Sequence, residues 1–353
     1  MMKKVSTIKD VAEYAGVSTA TVARVIHANG YVAEETARRV QEAIQATNYR
    51  VNSIAQSLRR QRTYTIGQVL HSTFPNTFYL HVALGAEQFA LEHDYNVLTF
   101  NALGRAEQER KGIEMFIHRR VDGILFTTPI DPRNVQLALD AGIPVVQIER
   151  PVRADTNRVM VDNYCGAVEA MEHLIALGHR DIAYFGQHPK TDRSALAGYV
   201  ETERLNAYLD TMSAHHLPVY PEYIKMGQHY RLEDRDSQGD GYRATRELLM
   251  LPHRPTAIFA SSDIPAVGTL QAIYEHRLFV PDDISVIGFD DTYSPFVAPP
   301  LTTVRMPMGE LGRAAVQLIL EQLEDTSDRP DQLRVIKLKT QLIVRDSTGP
   351  VRT

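Results

Sequence analysis

Residues 7–25 read TIKDVAEYAGVSTATVARV, and their punctuation decides the fold of the amino-terminal part. Thr7 followed by Asp10 marks a capped helix start, Val11, Ala12 and Ala15 recur on one face, and Gly16 ends the helix. Ser18 is placed to cap a second helix with an inward stripe of Val22, Val25 and Ile26. After the turn at Asn29-Gly30 a third helix carries Val40, Ala43 and Ile44 at i, i+3 and i+4. Each helix alone is too short to persist in water, so the three must bury a shared core. The tight Gly16-Val17-Ser18 link between the first two makes this a helix-turn-helix. Thr19, Ala20 and Thr21 open the second helix on its exposed side, with Arg24 one turn further along. In a major groove such a helix sets its first residues against base edges and brings Arg24 to a guanine or a phosphate. A plain three-helix bundle with Ser and Arg on its faces has the same spacing, so this stretch alone leaves both readings open.

The next segment separates them. Residues 49–64, YRVNSIAQSLRRQRTY, hold Arg50, Arg59, Arg60 and Arg62 and no acid. Ile54 and Leu58 at i and i+4, beside Ala55, would give a short helix with an apolar tip on a cationic stalk. A leucine wedged into a minor groove with arginines on the flanking phosphates is one use for it, and a solvated linker is the other. Charge bears on the choice. The 353-residue chain has 38 Lys and Arg against 43 Asp and Glu, a net charge of −5 that argues against nucleic acid. Residues 1–64, however, carry ten basic against five acidic residues, so a head of +5 is averaged with a body of −10.

From Ile66 onward, short β-rich runs alternate with helix-length segments. Ile66 to Leu70, Asn96 to Phe100, Asp122 to Thr127 and Pro144 to Ile148 read as one set of buried strands. Arg158 to Val161, Asp181 to Gly186, Thr256 to Ala260 and Ser285 to Phe289 read as a second. Helices are expected near Phe78 to His93, Glu107 to Arg119, Ala167 to Leu177, Arg204 to His215, Tyr242 to Met250 and Pro265 to Arg277. This alternation gives an α/β class of two doubly wound parallel-sheet lobes behind an all-α head, with ligand at the carboxyl ends of strands in the cleft between lobes.

Thr7-Ile8-Lys9-Asp10-Val11-Ala12, Ala15-Gly16-Val17-Ser18, Thr21-Val22 and Arg24-Val25 together resemble the amino-terminal signature of the LacI/GalR family of bacterial transcription regulators. Tyr49, Asn52, Ala55 and Leu58 resemble the hinge segment of that family, whose leucine is the minor-groove wedge. The stretch PTAIFASSDIPAVGTLQAIYEHRLFVPDDISVIGFDDT, followed by PPLTTVRMPMGELG, is similar to the core of the periplasmic-binding-protein-like effector domain. The resemblance implies a helix-turn-helix domain over 1–51, a hinge and linker over 52–64, and an effector-binding and dimerisation domain over 65–353. It implies an N-lobe of about 65–163 and 306–332 and a C-lobe of about 164–305 and 333–346, with crossings near Met306 and Leu333.

The chain departs from the family pattern in places. Ala23 stands where serine is usual, His27 where asparagine is common, and Val51 where a proline opens the hinge. Ala33 replaces a capping serine, a loss of about 1 kcal/mol unless Glu35 or Thr36 compensates. DNA-facing positions implied by the resemblance and the helix reading are Thr7, Ser18, Thr19, Ala20, Thr21, Arg24, His27, Tyr49, Asn52, Ala55 and Leu58.

In the cleft the resemblance points to Ser72, Phe78, Tyr79, Glu149, Arg204, Tyr242, Ser262, Asp263 and Asp290. Ala207 stands where the motif around Arg204 has glycine. Carboxylates accepting from paired hydroxyls, a guanidinium fork and aromatic rings suit a sugar or polyol. Plainer roles stay open: Asp290 as a loop cap, Tyr242 and Phe78 as core, Glu149 paired with Arg150 or Arg153, and Arg204 on a solvated face.

A single cysteine, Cys165, removes disulfides and multi-cysteine metal sites and reads as a small packing residue. Histidines lack metal spacing, and no Walker or dinucleotide glycine loop and no catalytic triad stands out, so no cofactor, metal or catalytic group is expected. The charged start MMKKVSTIKD lacks a secretory apolar stretch and no run is long enough to span a bilayer, so a cytoplasmic protein without membrane contact is expected. The reading is a ligand-responsive transcriptional regulator, a repressor on pseudo-palindromic operator DNA, acting as a homodimer because no heptad tail follows Arg345. The alternative, a stand-alone sugar-binding receptor, has no use for the basic head. Arg24→Ala and Leu58→Ala are each expected to weaken operator binding in a mobility-shift assay. A flatter dependence on salt is expected wherever a phosphate contact is lost.

Overall fold

The computed structural model describes residues 6–26, 29–49, 62–74, 76–188, 199–227, 239–325 and 333–352. The chain divides into two compact units, 1–63 and 64–353. His27, Asn52, Ala55 and Leu58 lie outside the described residues, as does most of the charged stretch 233–239.

In the first unit, α1 (Ile8–Ala15), α2 (Thr19–Ile26) and α3 (Glu34–Thr47) pack around Val11, Ala12, Ala15, Val22, Val40 and Ala43. The Thr7 amide and hydroxyl both donate to the Asp10 carboxylate, at 2.6 and 2.7 Å, and Gly16 takes the left-handed conformation (φ 65°) that ends α1. Arg39 donates to the Ala15 carbonyl, so α3 satisfies the carboxyl end of α1. Ala33 begins α3 with no side-chain cap.

The second unit holds two six-stranded sheets. The first runs β11-β5-β4-β3-β1-β2, from β1 (Thr65–Leu70), β2 (Asn96–Asn101), β3 (Gly123–Thr127), β4 (Val145–Ile148), β5 (Asn157–Val161) and β11 (Val335–Leu338), all parallel. α4 (Phe78–Glu92) and α11 (Met308–Glu324) cover one face, and α5 (Ala106–Arg119) and α6 (Pro132–Asp140) the other. The second sheet runs β12-β10-β9-β8-β6-β7, from β6 (Ile182–Gln187), β7 (Ile224–Gly227), β8 (Ala257–Ala260), β9 (Ser285–Asp290), β10 (Thr302–Arg305) and β12 (Gln341–Ile343), with only β12 antiparallel. Its faces carry α7 (Asn163–Ala176) with α8 (Tyr199–Ala214), and α9 (Gly239–Leu249) with α10 (Asp263–Glu275). Among the described residues no helix is long and apolar enough to cross a membrane.

The chain crosses between lobes at 161–163, 305–308 and 338–341. The expected return near Leu333 is therefore corrected. Val335 to Leu338 pair in parallel with Arg158 to Val161, so the N-lobe keeps this strand and the return follows it. The C-lobe also runs past 346. Ser347 is fully buried, accepts from the Thr302 amide and donates to the Val286 carbonyl, and Val351 bonds Leu177. Cys165, expected to pack, is exposed on the first turn of α7, where Asp162 caps the helix.

α4 and α11 meet backbone to backbone. A Cβ on Gly85 would lie 2.1 Å from the Gly309 carbonyl oxygen, and one on Gly312 2.1 Å from that of Val82. No rotamer relieves a clash with backbone, so Gly85→Ala and Gly312→Ala are each expected to cost about 2 kcal/mol. The check is a lower urea midpoint for both variants.

Candidate functional site

Two surfaces carry the residues singled out by sequence. On the helical head, the Ser18 hydroxyl accepts from the Thr21 amide at 3.1 Å and meets the Thr21 hydroxyl at 2.9 Å, which fixes the first turn of α2. Thr19, Ala20 and Arg24 are exposed on this helix and Thr21 is half-buried, as a groove-facing helix requires. Tyr49 is half-buried against the three-helix core, directly after the left-handed Asn48 that ends α3.

In the second unit, the groups that converge do so at the carboxyl ends of β1, β3, β4, β5, β8 and β9. Arg204 on α8 is the centre. Only 4% exposed, its guanidinium donates through Nε (2.9 Å) and Nη2 (2.7 Å) to Asn163 Oδ1 and through Nη1 (2.5 Å) to the Ser261 carbonyl. Nη1 stands 3.6 Å from Asp290 Oδ1, Nη2 lies 3.7 Å from Met306 Sδ, and the group sits 3.6 Å over the Phe289 ring. Glu149 accepts from the Val161 amide and from Asn163 Nδ2, both at 3.0 Å, which ties the N-lobe to the same asparagine. Arg150 reaches Glu201, on the first turn of α8 in the opposite lobe.

Burial sets the protonation of these groups. It pushes the Asp290 carboxyl up to about 7 even though Arg204 pulls it down, and Asp263 and Glu149 add to the rise. Glu149 is likewise raised by burial, against Asn163 and Arg204, and burial lowers Arg204. The Tyr79 hydroxyl is raised by burial, with Arg150 opposing and Asp290 adding. Thr128, Glu149, Asp290 and Asp291 have φ between 59° and 119° at these strand ends, strained backbone gathered at one place.

Other expectations fare unevenly. Ser72 is buried, but its hydroxyl donates to the Phe74 carbonyl. Phe78 lies in the core with its ring against Tyr79 at 5.3 Å, and Tyr79 stacks on His71. Asp263 is a clamp within the lobe. Its carboxylate accepts from the Thr292 amide, the Ser294 hydroxyl and the Thr303 hydroxyl, each at 2.7 Å, leaving little capacity for a ligand. Ser262 is half-buried and makes no side-chain cap for α10. Tyr242 is not brought to the cleft. Its hydroxyl donates to Glu275 at the last turn of α10, because Gly241, not Tyr242, faces the Pro265 backbone. Sequence reasoning gave no site role to Arg150, named only as a partner for Glu149, nor to Asn163, Glu201 and Ser261; for three of these four, position just past a strand end was the available signal. Among the described residues no cluster of His, Cys, Asp and Glu could hold a metal ion.

Residues 7–52 match the model for bacterial regulatory proteins of the lacI family, and residues 171–348 match the periplasmic binding protein-like domain. The HTH-type transcriptional repressor PurR of Actinobacillus pleuropneumoniae serotype 3 (strain JL03) is 33% identical over 347 residues, covering 97% of this chain and 98% of that protein. The chain belongs to the LacI family. A second relative, the probable HTH-type transcriptional repressor ExuR of Bacillus subtilis (strain 168), is 33% identical over 98% of the chain and 99% of its own length. Among solved structures, a lac repressor dimer bound to operator and the anti-inducer ONPF has TM-score 0.80 at 26% identity, covering 98% of this chain and all of that one. A CelR–cellobiose complex has TM-score 0.69 at 26% identity over 97% and 99%. As a LacI-family member the chain is a DNA-binding transcription regulator, and its named relatives are repressors.

In this LacI-family cleft the raised Asp290 carboxyl has a consequence for stability. The folded chain holds that proton up to about pH 7 and the unfolded chain releases it near 3.8, so Asp290 subtracts stability increasingly from about pH 4 to 7 and by a constant amount above. Asp290→Asn, which mimics the protonated form, is expected to gain about 1 kcal/mol or more in stability relative to wild type at pH 8 compared with pH 4. Thermal denaturation across that range is the check.

Proposed function

We propose that the chain is a ligand-responsive repressor that binds a pseudo-palindromic operator as a dimer and takes a sugar-like or polyol effector in the cleft between its lobes. One observation carries the effector reading. Arg204 and Asn163 bind together a strand end of each lobe, Glu149 and Asp290, beside two of the three chain crossings. A ligand bonded there acts on the groups that set the lobe arrangement, and a change in that arrangement is the coupling a regulator needs. Asp290, Glu149 and the Tyr79 hydroxyl offer acceptors and a donor of the kind that paired hydroxyls require. Sugar-type ligands in the CelR–cellobiose structure support this class.

The dimer reading rests on α4. Its inward residues Val82, Gly85, Ala86 and Ala90 are buried, while Leu80, Leu84 and Leu91 stand exposed on the opposite side at helical spacing. The lac repressor structure that the chain resembles is a dimer on operator. In this dimer each α2 would read one half-site and paired Leu58 side chains would enter the minor groove between them.

Two outcomes are expected. A sugar or polyol that raises the melting temperature of the full chain also changes operator affinity, and operator changes that ligand's affinity by the same factor. Equal affinities with and without the partner would remove the switch. Leu84→Glu is expected to shift sedimentation toward monomer and to weaken operator binding at least tenfold.

A further inference from the structure

The two arginines of the cleft are not equally available. Arg204 has its Nε, Nη1 and Nη2 engaged by Asn163, the Ser261 carbonyl and Met306, with its flat face on Phe289. Arg150, at the carboxyl end of β4, has 31% of its side chain open to solvent and, among the described residues, donates to Glu201. Its charge acts on the Tyr79 hydroxyl, Glu149 and Asp290. Burial pulls the Arg150 guanidinium down, but Glu201 and Tyr79 more than offset this and hold it firmly charged. Glu201 itself comes from the other lobe. The part-exposed Arg150 side chain is thus paired with a carboxylate supplied by the other lobe.

We propose that the effector carries a carboxylate, which takes the place of Glu201 on Arg150. This rests on the sugar-like reading above and narrows it to acidic sugars. A neutral hydroxyl accepts too weakly to displace a carboxylate from a guanidinium, and displacement would leave both charges of the pair unmatched. A ligand carboxylate restores the pairing at Arg150 with the planar two-point geometry that a guanidinium favours. Arg150 is thus the residue that sorts effectors by charge, and Glu201 is its built-in competitor. Exchange of one carboxylate for the other also releases the first turn of α8 from the N-lobe, while Lys337, 3.2 Å from both Asp162 and Glu203, keeps β11 attached to that helix.

The test is calorimetry on the full chain with matched pairs, D-glucose against D-glucuronate and D-galactose against D-galacturonate, with D-gluconate as an open-chain acid. The acids are expected to bind at least tenfold more tightly than their neutral partners. Arg150→Gln is expected to weaken acid binding about tenfold or more, and Glu201→Gln to tighten it several-fold by removing the competitor. An ion pair that only ties the lobes together would respond alike to both substitutions, since either one breaks the same bond. Equal shifts in one direction therefore overturn the proposal. If Arg150→Gln does not fold, Arg150→Lys keeps the charge, loses the fork, and is expected to weaken acid binding by a smaller factor. Neutral sugars that bind as well as the acids overturn this inference and leave the sugar-responsive reading standing. Binding of neither kind overturns both.

Discussion

A buried guanidinium tolerates no half measures, and the second unit is arranged around one. Arg204 carries its charge at a depth where water cannot solvate it, so an unmatched donor there would cost several kcal/mol. Its partners come from four separate stretches of chain: the start of α7, the end of β8, the end of β9 and the crossing that leads into α11. Each lies at or just past a strand end or crossing, so the arginine holds in register the places where the two lobes are joined. A substitution anywhere in this set would be felt by all of it. At Asp290 the burial cost outweighs the pull of Arg204, since a carboxylate fully matched by a guanidinium would lie below the usual range and not above it.

Much of this was legible in the amino-acid order, for reasons that differ by element. The helix-turn-helix could be read because its cues are local: Thr7 with Asp10, the left-handed Gly16, and Ser18 under Thr21 act within three or four residues. Seven of the eight inner strands could be read because a strand covered on both faces is a continuous apolar run; β10 (Thr302–Arg305), with two threonines and an arginine in four residues, was missed, and β5, read with the second set, belongs to the first sheet. The edge strands β7, β11 and β12 are only three or four residues long and largely unburied, too short for a clear apolar run, and the burial of β11 alternates between exposed and half-buried; the edge strand β2, six residues long, was read. The last crossing, placed near Leu333 by the resemblance alone, lies after β11.

The cleft was legible where a residue type has few roles at a strand end, as with Asp290 and Glu149, and illegible where a partner decides the role. Asp263 sits next to the opening yet spends its acceptors on Thr292, Ser294 and Thr303, a fact of tertiary packing that no spacing records. Tyr242 failed for a related reason. One residue earlier, a glycine allows two helices to touch, and that contact turns the following side chain to the outside. Arg150 and Glu201 are 51 positions apart, and nothing in either neighbourhood announces the other.

The three crossings have a temporal meaning. The N-lobe sheet is not complete until β11 has been made, and the C-lobe is not complete until Ser347 and Val351 have docked. Neither lobe can close on the ribosome before nearly the whole chain has emerged, whereas the helical head needs only the first 49 residues for its core. At 5–20 residues per second the head is finished roughly 15 to 60 s ahead of the body. A chain cut short within its last ten residues would therefore still present a folded DNA-reading head, attached to a body that has lost the final seam of its second sheet.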